Sequence, residues 1–187
     1  SVVMQYKHGY SICISTQVGC RMGCTFCATG KSGFSRNLTA SEMLAQIQSA
    51  QKDLGIQISN IVLMGMGEPL DNYQQVLRFL ELVSSDEGMN IGMRHISVST
   101  CGIVDKIYDM ANRKLQCTLS VSLHAPNDNL RSQTMPINKK WGVAQLLKAC
   151  KYYSDTTRRR ISFEYAMISG LNDSDAQARE LAGKLKG

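Results

Sequence analysis

No stretch of this sequence approaches the roughly 20 consecutive apolar residues that a membrane helix needs. The start, Ser1-Val2-Val3-Met4-Gln5-Tyr6-Lys7-His8, also lacks the charged-then-apolar order of a secretory signal. A soluble, cytoplasmic protein without a membrane partner is therefore expected. There is no low-complexity tract, no linker and no sequence repeat, so the 187 residues are read as one domain. A second C-x-x-C or H-x-x-x-H pair, which a structural zinc ribbon would want, is missing as well. Neither sign of charge is scarce: 21 Lys and Arg against 15 Asp and Glu give a net +6 and a pI near 9.0. That mild excess favours a polyanionic partner without identifying one. A 43% hydrophobic composition is enough for a sizeable core, burying roughly two-thirds or more of the unfolded surface at this length.

What is present alternates. Short runs rich in Ile, Val, Ser and Thr at residues 10–18, 60–66, 95–100, 118–124 and 160–168 read as strands. Between and after them lie segments with apolar residues at three- and four-residue spacing. The first is expected to start at an N-cap Ser41 followed by Glu42, to turn Met43, Leu44, Ile47 and Leu54 toward the core, and to stop at Gly55. The others span about 73–83, 104–111, 143–153 and 174–185. Five strand–helix units in this order imply parallel strands, either as a partial (β/α) barrel or as an open doubly wound sheet. The longest irregular piece, residues 19–38, follows the first strand, at the strand end where active sites of parallel α/β folds form.

That piece holds three of the seven cysteines, spaced Cys20-x-x-x-Cys24-x-x-Cys27. An odd cysteine count without an export signal argues against a disulfide scaffold. Three thiolates this close can converge on one inorganic centre, with Gly19 and Gly23 letting the backbone fold tightly around it. Three protein ligands on a four-iron cube would leave one iron open to another molecule. A zinc site or three unrelated buried thiols are the plainer alternatives. Cys101, Cys117 and Cys150 stand alone near strands and a helix, where burial as small apolar side chains is expected.

C-x-x-x-C-x-aromatic-C after the first strand of a βα series, with Phe26 in the aromatic slot, resembles the signature of radical S-adenosylmethionine enzymes. Their fold is a partial, TIM-like (β/α) barrel. The resemblance implies a [4Fe-4S] cluster on Cys20, Cys24 and Cys27. It also implies S-adenosylmethionine bound through its amino and carboxylate groups to the open iron, and reductive cleavage to a 5′-deoxyadenosyl radical.

Further motifs are similar to the RlmN family of adenine-C2 RNA methyltransferases: Cys13-Ile-Ser-Thr-Gln-Val-Gly-Cys20, Gly65-Met66-Gly67-Glu68-Pro69, Ser97-Val98-Ser99-Thr100, Ser122-Leu123-His124-Ala125-Pro126-Asn127 and Met135-Pro136-Ile137-Asn138-Lys139. Read from the residues, Gly67 and Glu68 end the second strand, where backbone and carboxylate could hold an ammonium group. The glycines do not make a dinucleotide fingerprint, because no third glycine opens a helix. Ser99 closes the third strand, and Ser122 with His124 the fourth, so their polar atoms should share one cleft. The resemblance implies cofactor contacts at Phe26, Gly67, Glu68, Ser99, Ser122, His124 and, through its backbone, Leu123. It implies that Cys13 resolves a protein–RNA bond by forming a disulfide with a methyl-carrying cysteine. None of the later cysteines stands in a matching context. That residue, a sixth strand–helix unit with a cofactor-contacting asparagine, the amino-terminal RNA-binding domain and an acidic base are expected outside these 187 residues.

The implied substrates are 23S ribosomal RNA and transfer RNA, and the implied electron donor is flavodoxin or ferredoxin, with the enzyme a monomer. A base inside folded RNA must be extruded to reach such a site. Arg21, Lys31, Arg36, Lys139 and Lys140 are candidates to hold the backbone, while Arg158-Arg159-Arg160, before the fifth strand, reads as a solvated turn at the opposite end. Tyr6-Lys7-His8-Gly9 and Cys13-Ile14-Ser15-Thr16-Gln17 also resemble the Cfr-like C8 methyltransferases, whereas Gly67-Glu68-Pro69-Leu70-Asp71-Asn72 and Ser122-Leu123-His124-Ala125-Pro126-Asn127 look more like RlmN. From another class, a zinc-stabilised, non-catalytic RNA-binding module remains open.

Overall fold

Alternation decides the strands. In residues 96–100 and 118–122, Ile96, Val98, Leu119 and Val121 are buried in the core, while Ser97, Ser99, Ser120 and Ser122 take the opposite face, as a period-two pleat requires. A computed structural model, describing residues 1–7 and 9–186, gives the element order β1 (Val2–Tyr6), β2 (Gly9–Cys13), β3 (Gln17–Gly19), α1 (Ala28–Lys31), β4 (Phe34–Asn37), α2 (Ala40–Leu54), β5 (Ile58–Leu63), α3 (Tyr73–Ser84), β6 (Ile96–Thr100), α4 (Val104–Asn112), β7 (Thr118–Ser122), α5 (Asp128–Thr134), α6 (Val143–Thr157), β8 (Ile161–Glu164) and α7 (Asp175–Leu185). His8, part of the Tyr6-to-Gly9 likeness, lies outside the described residues.

Among the described residues the main sheet runs β1-β2-β5-β6-β7-β8. From β2 to β8 every pairing is parallel; β1 lies antiparallel on β2 as an edge strand. The spatial order of the parallel strands follows chain order without the reversal of a doubly wound sheet, so the winding is that of a partial (β/α) barrel. The five expected strand–helix units are all there. Helices cover the outer face: Met43 and Ile47 of α2, Phe79 and Val83 of α3, Ile107 of α4, and Leu146 and Ala149 of α6 are buried to completion. Each of the larger side chains contributes about 1.5–3 kcal/mol by leaving water, and the Ala149 methyl less. Tyr153 on α6 is also buried, and its hydroxyl donates to the Cys117 carbonyl at 2.8 Å, so the burial leaves no lost hydrogen bond.

Several boundaries differ from the sequence reading. Residues 10–18 are not one strand: after Cys13 the chain turns out of the main sheet, Thr16 and Gln17 both donate to the Met66 carbonyl, and β3 begins. The piece at 19–38 is less irregular than expected, because β3 and β4 pair antiparallel and close its base. Gly19 has φ +80°, and a Cβ there would run into the Gly33 carbonyl, so this closure demands glycine. The first long helix is capped by Thr39 rather than Ser41. Thr39 and Glu42 form a reciprocal capping box, and Gly55 ends the helix in the left-handed region as expected. Leu54, expected in the core, is 57% exposed. Strand β1 and helix α5 were not anticipated.

Candidate functional site

Small residues on the inner face of the sheet leave space there. Where a barrel interior is usually filled by branched side chains, Ser97 and Ser120 share a hydroxyl hydrogen bond at 2.8 Å, and Ser99 and Ser122 above them border a cavity of about 190 Å³. The four parallel strands β5 to β8 deliver their carboxyl ends to it through Leu63, Ser99, Ser122 and Glu164. Cys20, Cys24, Cys27 and Phe26 form its other wall. Gly67, Glu68 and His124 border it too, so most residues singled out from sequence meet in one place. Larger hollows exist elsewhere, one of about 710 Å³ beside α6 and β8, but that one has a single thiol, Cys150, with Ser154 and Asp155, where this cavity gathers Cys20, Cys24, Cys27 and Cys101.

The cysteine loop is held from three sides. Cys20 N–H donates to the Gly33 carbonyl at 2.8 Å, Cys27 N–H to the Cys24 carbonyl at 3.1 Å, and Thr25 N–H to the Thr134 carbonyl at the end of α5 at 2.9 Å. Phe26 meets the His124 ring edge-on at 4.8 Å, which ties the loop to the end of β7. All three thiols are free and half-buried. Burial pushes the Cys24 thiol up to about 11, with the neighbouring Cys27 and Cys20 adding to the shift, and burial likewise raises Cys20. Among the described residues no three His, Cys, Asp or Glu side chains clasp a single point as a lone metal ion requires; the thiols surround a cavity instead. Three soft sulfur donors spread over one wall, facing hydroxyls and a carboxylate, suit a thiolate-ligated iron–sulfur cube with room beside it for a polar cofactor.

Glu68 is buried, and its carboxylate accepts from Leu70 N–H at 3.0 Å and from Cys101 N–H at 2.7 Å. Burial raises its pKa, opposed by these hydrogen bonds. The peptide before it is fixed by Gln17, whose side-chain oxygen accepts from Glu68 N–H at 2.8 Å. Gly67 has φ +104°, and a Cβ there would sit 2.6 Å from Gln17. His124 also occupies the left-handed region, at φ 56°. Its Nδ1 accepts from Ala166 N–H at 2.9 Å, which assigns the ring proton to Nε2. Burial, with the Arg131 charge as a lesser cause, holds its pKa down to about 4, so the ring is neutral near pH 7.

Two expected residues do not border the cavity. Leu123 is fully buried, and both its backbone groups are engaged, N–H to the Glu164 carbonyl at 3.1 Å and carbonyl from Arg131 Nε at 3.0 Å. Cys13 ends β2, half-buried, on the same pleat face as Ser11, which borders a separate hollow at the other end of the sheet with Asn60 and Ser97. Of the isolated cysteines, Cys117 and Cys150 are buried as expected, with thiols pushed up to about 12 by burial. Cys101 is buried as well, but it borders the cavity. Sequence reading missed Glu164 and Met135 there; Glu164, closing a strand of otherwise uncharged residues, carried a readable signal.

The basic candidates divide. Arg36 forms a two-pronged ion pair with Glu42 at 2.7 and 2.9 Å, and Arg21 pairs with Asp71 at 2.8 Å while lying over the Phe34 ring. Lys140 sits over the Trp141 ring at 4.2 Å. Lys31 and Lys139 make no ion pair among the described residues. At the far end of the sheet Arg158 caps α6 in the left-handed region, and Arg159 is partly buried toward Thr118, so that run is not wholly solvated.

Known proteins of this kind share both sequence and shape. The chain is 58% identical over its full length to the "Probable dual-specificity RNA methyltransferase RlmN" of Clostridium botulinum strain Langeland, and 57% to proteins of the same description from Clostridium novyi and Clostridium tetani. It spans 54–55% of the length of these relatives. A crystal structure of a radical SAM methyltransferase from Sphaerobacter thermophilus superposes with a TM-score of 0.95 at 48% identity, over 99% of this chain and 55% of that one. No helix among the described residues is long and apolar enough to cross a membrane. The pattern of the Radical SAM superfamily matches residues 14–182, nearly the whole chain, and the chain belongs to that superfamily.

Proposed function

We propose that this chain is the catalytic core of a cytoplasmic RNA methyltransferase that uses S-adenosylmethionine to methylate C2 of adenosine in 23S ribosomal RNA and transfer RNA. The observation that carries the reading is the meeting of Cys20, Cys24 and Cys27 with Glu68, Ser99, Ser122 and His124 around one cavity at the strand ends. The names of the relatives supply the RNA substrate and the dual specificity.

Cys20, Cys24 and Cys27 would hold a [4Fe-4S] cluster, which when bound supplies the electron that cleaves the sulfonium of S-adenosylmethionine. The protein's part is binding, orientation and shielding. Glu68 arrives fixed by the Leu70 and Cys101 amides, with the Thr100 and Cys101 side chains as further partners, and it borders the cavity where its carboxylate would meet the ammonium of the cofactor. The Ser99 and Ser122 hydroxyls and the His124 Nε2–H are small, neutral partners for the cofactor's hydroxyl and carboxylate oxygens. Met22, Met64 and Met135 border the same cavity and give it an apolar margin. Leu123 acts through position, since its backbone is already bonded. Cys13, at the end of β2, is the thiol assigned to release methylated RNA by disulfide formation with a methyl-carrying cysteine. Lys31 and Lys139, unpaired, are better placed to meet phosphates than Arg21 or Arg36. A one-electron donor such as flavodoxin or ferredoxin and a monomeric enzyme complete the reading.

The test is mass spectrometry of RNA treated with the complete, anaerobically reconstituted protein, S-adenosylmethionine and a reductant. Methyl groups on adenine C2 are expected; methylation confined to C8 would contradict the assignment.

A further inference from the structure

Arg131, on α5, has none of its side chain exposed. Its Nη2 donates to the Cys101 carbonyl at 2.6 Å and to the Ser122 carbonyl at 3.0 Å, its Nε to the Leu123 carbonyl at 3.0 Å, and its Nη1 to Asn138 Oδ1 at 3.1 Å. All four acceptors are neutral. Among the described residues no carboxylate lies within ion-pair distance of the guanidinium. The carboxylates nearest in the bonding network are one group removed: Asp128, reached through Asn138, and Glu68, on the far side of Cys101. Burying a full charge on neutral partners costs several kcal/mol unless something negative lies close by.

Arg131's surroundings locate where that negative charge belongs. Cys101 and Ser122, whose carbonyls it holds, border the same cavity as the three clustered cysteines. Helix α5 is bonded directly to the cysteine loop, through Thr25 N–H and the Thr134 carbonyl, between Cys24 and Cys27. Met135, the next residue, borders the cavity.

We propose that Arg131 is a positioning residue of the cysteine cavity, fastening the ends of β6 and β7 beneath the cysteine loop and supplying a permanent buried positive charge to the thiolate-ligated group held there. The proposal rests on the cluster reading given above. A cube held by three thiolates carries net negative charge, and each added electron makes it more negative. A fixed cation nearby therefore favours both its retention and its reduced state. The planar fork bonds three carbonyls at once, which a lysine ammonium in that place could not match.

The experiment compares wild type, Arg131→Gln and Arg131→Lys in the complete protein, reconstituted anaerobically. It measures iron retained against a chelator, the midpoint potential by EPR-monitored titration, and the melting temperature before reconstitution. Arg131→Gln is expected to lower the potential and to weaken iron retention about tenfold or more. Arg131→Lys should keep a potential near wild type while melting lower, because charge survives and the fork does not. An unchanged potential in Arg131→Gln, or an equal downward shift in Arg131→Lys, would overturn the proposal. If Arg131→Gln cannot hold iron at all, Arg131→Lys decides: retained iron supports the charge assignment, and equally complete loss refutes it. Wild type that binds no iron or sulfide would overturn the cluster reading itself, and this proposal with it.

Discussion

Phe26 and His124 meet edge-on with ring centroids 4.8 Å apart, so the aromatic residue between two clustered cysteines is docked on the end of β7. Such a pair is worth about 0.5–1.5 kcal/mol beyond the area it buries. Phe26→Ala is expected to lower unfolding free energy by at least about that amount, since its buried area is lost as well, and to speed iron loss from the reconstituted protein, whereas Phe26→Tyr should do neither. Chemical denaturation and timed chelation check both; an unaltered rate of iron loss in Phe26→Ala would mean the contact does not steady the loop.

His124 gives a pH signature. Its folded pKa, about 4, lies below the ordinary histidine value of 6.5, so between those values the unfolded chain binds more protons. The stability this residue contributes is present above pH 6.5 and is lost as pH falls toward 4. His124→Asn keeps an acceptor for Ala166 N–H and tolerates the left-handed backbone. The melting temperature of wild type should therefore fall more steeply than that of His124→Asn between pH 6.5 and 4. Parallel curves would show that the imidazole is not kept neutral by its burial.

Glu68→Gln should be costly despite its similar shape. Both carboxylate oxygens accept backbone N–H groups, and an amide NH₂ would set a donor against one of them. A loss of about 1–3 kcal/mol in urea denaturation is expected, together with weaker S-adenosylmethionine binding by calorimetry. A glutamine variant as stable as wild type would mean that the two amides do not depend on the carboxylate.

Gly67→Ala tests the turn that presents Glu68. The new Cβ would lie 2.6 Å from Gln17 in a backbone conformation unfavourable to side chains. At least about 1–2 kcal/mol of destabilisation is expected from the backbone alone. A neutral result by thermal or urea unfolding would show that the strand end relaxes freely.

Much of this was legible in the sequence, for identifiable reasons. The alternation Ile96-Ser97-Val98-Ser99 states both the strand and its hydroxyl-lined inner face, and the cysteine spacing brings three thiols to one cavity. The Thr39-x-x-Glu42 pair was equally readable, yet Ser41 beside Glu42 drew the helix start two residues too far on. Residues 10–18 look like one strand because apolar pattern does not record where hydrogen-bond partners change; Thr16 and Gln17 leave the sheet for Met66. Arg131 was beyond sequence reading: in Asn129-Leu130-Arg131-Ser132 it looks like a surface arginine, and only the tertiary packing of α5 under the cysteine loop buries it.

The most direct test of the account replaces Cys20, Cys24 and Cys27 together by alanine in the complete protein and measures iron, acid-labile sulfide and 5′-deoxyadenosine release after reduction with S-adenosylmethionine. The wild type should carry iron and sulfide and release the nucleoside; the triple variant should do neither. A variant that still binds iron and sulfide and still releases 5′-deoxyadenosine would contradict the account.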